Sequence, residues 1–100
     1  DAKFGPLGKE NVPVRPLRAI LAEHVPEGLA VDYMNVDCEG LDLQVLQGND
    51  WTRFRPALLS VEMKRIDLAN VASEPIHMFM SKHDYSMVAY HFATAFYAPA

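Results

Sequence analysis

Asp37 and Glu39, separated by Cys38 and followed by Gly40, place two carboxylates after an apolar run and directly before a helical pattern. Carboxylates in that position can accept a hydroxyl proton, hold a hydroxyl by hydrogen bonds, or ligate a hard cation such as Mg²⁺ through oxygen. A further carboxylate, Glu62, closes a second apolar run, Ala57-Leu58-Leu59-Ser60-Val61. Ligands of open α/β sheets collect at the carboxyl ends of strands, so Asp37 and Glu39 belong at the crevice, and Glu62 does too if it faces that way. If the chain stays extended through Glu39, Asp37 and Glu39 point to the same side. The competing structural role is that one of them caps the next helix while the other pairs with an arginine.

The elements that must position these groups follow from periodicity. Ala30 to Val36 reads as a strand, and Leu41 to Gln47 as a helix with Asp42 in its first turn, Leu43 and Leu46 inward and Gly48 as terminator. Upstream, Pro16 suits the first turn of a helix in which Leu17, Ile20, Leu21 and Val25 share a buried face before Pro26 and Gly28 stop it. Asp1 to Asn11 has no periodicity and reads as a loop or cut end, running into a short extended piece at Val12-Pro13-Val14. Asn49 to Phe54 is a tight connection anchored by Trp51 and Phe54, and Pro56 opens the second strand. Ser73 is placed to cap a helix carrying Ile76, Phe79, Met80 and His83 on one face. Tyr85 to Tyr90 and Ala95 to Tyr97 then form an antiparallel pair through His91 to Thr94, a turn without glycine. This order predicts an α/β chain whose first two strands are parallel and whose end is an antiparallel hairpin.

Composition narrows the function classes. A net charge of -4 over 100 residues argues against nucleic acid as a partner. A single cysteine excludes an internal disulfide and a cysteine-rich zinc cage, and it fits a reducing compartment. Cys38 itself reads as a small apolar residue rather than a nucleophile. No run approaches the ~18–20 apolar residues of a membrane span, so the expectation is a soluble, cytoplasmic protein without a membrane partner. The histidines are scattered rather than spaced as ligands, with His24 and His83 placed at helix C-termini, where positive charge is favourable. The methionines, Met34, Met63, Met78, Met80 and Met87, read as core filler.

Three stretches together resemble the FkbM-type methyltransferases: Val36-Asp37-Cys38-Glu39-Gly40-Leu41-Asp42-Leu43-Gln44-Val45-Leu46, Asn49-Asp50-Trp51, and Arg55-Pro56-Ala57-Leu58-Leu59-Ser60-Val61-Glu62. Val12 to Leu17 and the Tyr85 hairpin extend the similarity over nearly the whole chain. The sequence departs from the family pattern at Asn35, where many relatives have lysine, and at Arg18, where an aspartate is frequent.

The resemblance implies the C-terminal half of a Rossmann-like methyltransferase fold, a single partial domain over residues 1–100 with helices packed on the sheet. Ala30–Val36 would be the fourth strand, Ala57–Val61 the fifth, and the hairpin the last two. The glycine-rich turn that holds S-adenosylmethionine would lie upstream of Asp1, so no cofactor-binding residue is assigned here and the isolated chain should be inactive. Asp37 and Glu39 become the catalytic candidates, and Asn35 and Glu62 the substrate-binding ones. The acceptor would be a hydroxyl of a sugar, glycan or polyhydroxylated metabolite. A Mg²⁺-assisted route through Asp37 and Glu62 is the less favoured alternative. The rivals are a non-catalytic interaction or glycan-binding module that keeps half the fold, and a truncation product without activity. An unpaired Ala30–Val36 edge would also make the fragment a homo-oligomer.

Overall fold

The computed structural model describes residues 13–100. The Asp1–Asn11 loop and the start of the extended piece at Val12 lie outside them. Helix α1 spans Leu17–His24, with Pro16 at its N-cap rather than inside its first turn. It stops at Val25, which takes an extended conformation (φ -103, ψ 116) as the residue before Pro26 must. The expected buried face is only half covered: no residue of α1 is fully buried, and Ile20 is 40% exposed. Its closest backbone tie is the Arg18 amide donating to the Gly48 carbonyl at 2.8 Å, at the far end of the next helix.

Strand β1, Tyr33–Val36, is shorter than the apolar run from Ala30. The missing residues still pair: the Ala57 and Leu58 amides donate to the Val31 and Asp32 carbonyls at 3.0 and 3.1 Å. Helix α2, Asp42–Gln47, follows, then strand β2, Leu58–Glu62. Two 3-10 turns over Leu68–Ser73, kinked at Asn70 (φ -125, ψ 27) and not expected from the sequence, lead into α3, Pro75–Lys82. Ser73 does not cap α3. Glu74 occupies the N-cap, while the Ser73 hydroxyl turns back to donate to the Asn70 carbonyl at 2.8 Å. Strands β3, Tyr85–His91, and β4, Thr94–Pro99, complete the chain.

The sheet runs β1-β2-β4-β3. β1 and β2 are parallel, while β4 enters antiparallel between β2 and β3. Alternation sends Val36, Leu59, Val61, Ala95 and Tyr97 to one face, where Leu46 of α2 and Met80 of α3 close the core. On the other face the Tyr33 hydroxyl meets that of Ser60, which donates to Asn35 Oδ1 at 2.7 Å. Tyr33 remains 52% exposed there. β1 is an edge strand among the described residues.

The connection after α2 is built as anchors. Trp51 Nε1 donates to the Leu46 carbonyl at 2.9 Å, and its ring lies 5.5–6.0 Å from those of Tyr85, His83 and Phe79. Asn49 Nδ2 donates to the Phe54 carbonyl at 2.9 Å. Burial on that scale accounts for Trp51 and Phe54 as core residues and leaves neither face open for a sugar. Gly48 does not end α2 by a left-handed turn, since its φ is -82. A Cβ there would lie 3.3 Å from the Leu17 amide nitrogen, so the glycine serves close approach of α1. Met63 and Met80 are core residues and Met34 and Met87 pack against them, but Met78 is 55% exposed.

Candidate functional site

The parallel register decides where the carboxylates stand. Asn35 lies beside Ser60 and Val36 beside Val61, so the next residues out, Asp37 and Glu62, leave neighbouring strands at the same end. Asp37 and Glu39 are exposed, and Glu62 is half buried. One carboxylate oxygen from each of the three lies within 4.8 Å of the others. The convergence sought in the sequence is present, but it arises differently. The chain does not stay extended to Glu39, because the strand ends at Val36 and Glu39 has φ 46, followed by Gly40 at φ 93. The Leu41 amide donates to the Cys38 carbonyl at 3.0 Å across this pair, a tight turn with both central residues left-handed. The turn, not strand alternation, brings Glu39 back over Asp37.

Neither carboxylate takes the competing structural role. Asp42, at the first position of α2 and 5% exposed, supplies the loop's own anchor: its Oδ1 accepts from the Cys38 amide at 2.8 Å. Among the described residues no arginine pairs with Asp37 or Glu39, and the charge partner of Glu62 is Lys64 at 3.8 Å. Like charges this close repel one another, so a cation or a hydrogen-bond donor brought to the rim is favoured. The oxygen-only donor set suits a hard divalent cation, and its negative charge equally suits an organic cation. Cys38 is half buried against the core with its amide engaged by Asp42.

Asn35 is reached through the hydroxyl chain. Its Oδ1 accepts from Ser60, leaving the amide Nδ2 without a hydrogen-bond partner among the described residues. The register adds residues that the sequence reading passed over: Thr94 on β4 stands opposite Glu62, and His91 on β3 opposite Thr94. The β3–β4 turn beside them is Phe92-Ala93, both left-handed at φ 46 and 69, with Phe92 89% exposed. The sequence signal for this was available, a two-residue hairpin turn without glycine. His24 and His83 stand at helix ends as expected. His83, however, stacks on Phe79 at 4.4 Å, and burial together with Lys82 and Arg55 holds its pKa below the usual 6.5, so it is not a favoured positive charge.

A mixed sheet with a parallel pair and an inserted antiparallel last strand is consistent with part of a methyltransferase fold. A family model, the methyltransferase FkbM domain, matches residues 4–87, and the chain belongs to that family. The strand order β1-β2-β4-β3 is the one expected when they serve as fourth, fifth, seventh and sixth strands. Methyl transfer in such a family draws in general on S-adenosylmethionine. No curated protein matches the chain, and no solved structure does. No helix among the described residues is long and apolar enough to cross a membrane.

Proposed function

We propose that Asp37, Glu39, Glu62 and Asn35 form the acceptor side of an S-adenosylmethionine-dependent O-methyltransferase acting on a hydroxyl of a sugar, glycan or polyhydroxylated metabolite. The observation that carries this reading is the meeting of the three carboxylates within 4.8 Å at the carboxyl ends of two parallel strands, in a chain of a methyltransferase family. S-adenosylmethionine would supply an electrophilic methyl group on a positively charged sulfur, which the acidic rim suits. The chain's own residues orient the acceptor and take its proton. Glu62 and the Asn35 amide hold hydroxyls of the acceptor. Asp37 or Glu39 would accept the proton of the reacting hydroxyl. Orienting the acceptor hydroxyl would supply most of the rate, and the base would add roughly 10²–10⁴-fold.

The test is substitution in the full-length gene product. Asp37→Asn and Glu39→Gln lower kcat if the side chain is the base, whereas Asn35→Ala and Glu62→Gln raise KM for the acceptor. Unchanged kinetics in all four variants would sink the assignment.

The 4.8 Å cluster also supports a second reading, in which Asp37, Glu39 and Glu62 hold Mg²⁺ that polarises the acceptor oxygen. Calorimetry with Mg²⁺ decides it, because heat that disappears in Asp37→Asn marks a bound ion. A glycan-binding module without transfer would show acceptor binding but no methylated product.

A further inference from the structure

Beside the carboxylate rim, on the helix-covered side of the sheet, lies a cavity of about 580 Å³ between the Glu39-Gly40 turn, the start of α2, the segment after β2 and the start of α3. That volume suits a sugar-sized ligand. Its walls carry four carboxylates, Glu39, Asp42, Glu62 and Glu74, against a single ammonium, Lys64. Lys64 is already directed to Glu62 at 3.8 Å. Apart from Gln44, the remaining side chains are apolar, with Met63, Ile66 and Ile76 prominent.

We infer that this cavity selects an acceptor that carries a protonated amine next to an apolar group, as an amino sugar with a hydrophobic aglycone does. This rests on the O-methyltransferase reading and names the acceptor class for that site. Two features of the lining argue for it. A phosphate or carboxylate would enter among like charges and be repelled, so anionic sugars and nucleotides are excluded. An inorganic cation would satisfy the carboxylates but would make no use of the apolar wall, whereas an amphipathic amine covers both surfaces. Glu39 and Glu62 line the cavity and also belong to the reactive cluster. An amine held against Glu74, on the α3 wall of the cavity, would leave a neighbouring hydroxyl for Glu39 and Glu62. Glu74 is the selective group, since it caps α3 through its backbone only and makes no side-chain cap hydrogen bond.

The experiment is a titration of the protein with three probes, hexyl β-glucosaminide, its N-acetyl derivative and hexyl β-glucoside. Binding is followed by the amide chemical shifts of Gly40, Lys64 and Ile76. The amine is expected to bind at least about tenfold more tightly than the neutral pair, a preference that falls with salt. Glu74→Gln should weaken it several-fold and Glu74→Lys should abolish it, with thermal unfolding unchanged in the Gln variant. Equal affinity for the three probes would overturn the inference. So would shifts confined to other residues, or displacement of the amine by S-adenosylmethionine at matched concentration, which would assign the cavity to the donor. Because binding is read without methyl transfer, the two proposals fail separately. Amine-selective binding by the chain together with no transfer by the full-length gene product supports the cavity assignment and removes the enzymatic reading. Equally efficient methylation of neutral and amino sugars leaves the enzymatic reading and removes the cavity assignment.

Discussion

Glu39 is held in a backbone conformation that costs an L-residue roughly 1–2 kcal/mol, at φ 46 and exposed to solvent. Nothing in packing requires glutamate at this exposed position, and the proposed function gives its carboxylate a role at the rim. Glu39→Gly should therefore raise stability by about 1 kcal/mol while lowering activity of the complete enzyme, a pairing that denaturant titration and turnover measurements would check together. A purely structural glutamate would lose stability instead. His83 illustrates a different residue-scale effect. Burial against Phe79 and Trp51 favours the neutral imidazole, so the folded-state pKa is depressed while the unfolded value stays near 6.5. The unfolded chain then binds the proton more readily, and the contribution is complete above the unfolded pKa and is lost as pH falls through the folded one. The melting temperature should fall as pH drops below about 6.5, the unfolded value, and His83→Phe should flatten that slope. An unchanged slope in the variant would remove His83 as its cause.

Strands and turns set the next scale. The β3–β4 hairpin closes through Phe92-Ala93 with both residues left-handed, the geometry that Asn-Gly adopts with least strain. Replacing Phe92-Ala93 by Asn-Gly should stabilise the fold by roughly 1–2 kcal/mol, measured by urea unfolding. Loss of stability would mean that Phe92 packs in solution in a way its 89% exposure does not show. The strands and α2 were legible because apolar periodicity and glycine or proline punctuation are local. The 3-10 turns over Leu68–Ser73 were not, because their pattern is short and their cap, Asp67 accepting from Ala69 at 3.0 Å, is polar throughout. The truncation of β1 to Tyr33–Val36 was also hidden: an apolar run marks what can pair, not where the ladder begins.

At the scale of the whole molecule, β1 and β3 are the two outer strands of the sheet among the described residues. β1 is an edge with a half-exposed tyrosine on its open face, and such a strand presents unsatisfied amides and carbonyls to another chain. The isolated chain should self-associate through this edge, giving a concentration-dependent sedimentation coefficient. Asp32→Pro or Asn35→Lys, both on that margin, should shift it to monomer. Monomeric sedimentation of the unmodified chain at high concentration would rule the edge pairing out.

The identities of the acidic groups, their positions at the ends of two apolar strands, and the α/β order with its closing hairpin were determined by the sequence alone, since each depends on residues within one element or its flanks. The meeting of Asp37, Glu39 and Glu62, the anchoring of their loop by Asp42, and the carboxylate-lined cavity below them were decided only by the tertiary structure. Strand register and a left-handed turn set those distances. The register depends on pairing between segments 25 residues apart in the chain, as Asn35 with Ser60, of which local pattern carries no record. The turn is local, but it puts a non-glycine residue, Glu39, in a left-handed conformation that periodicity does not mark.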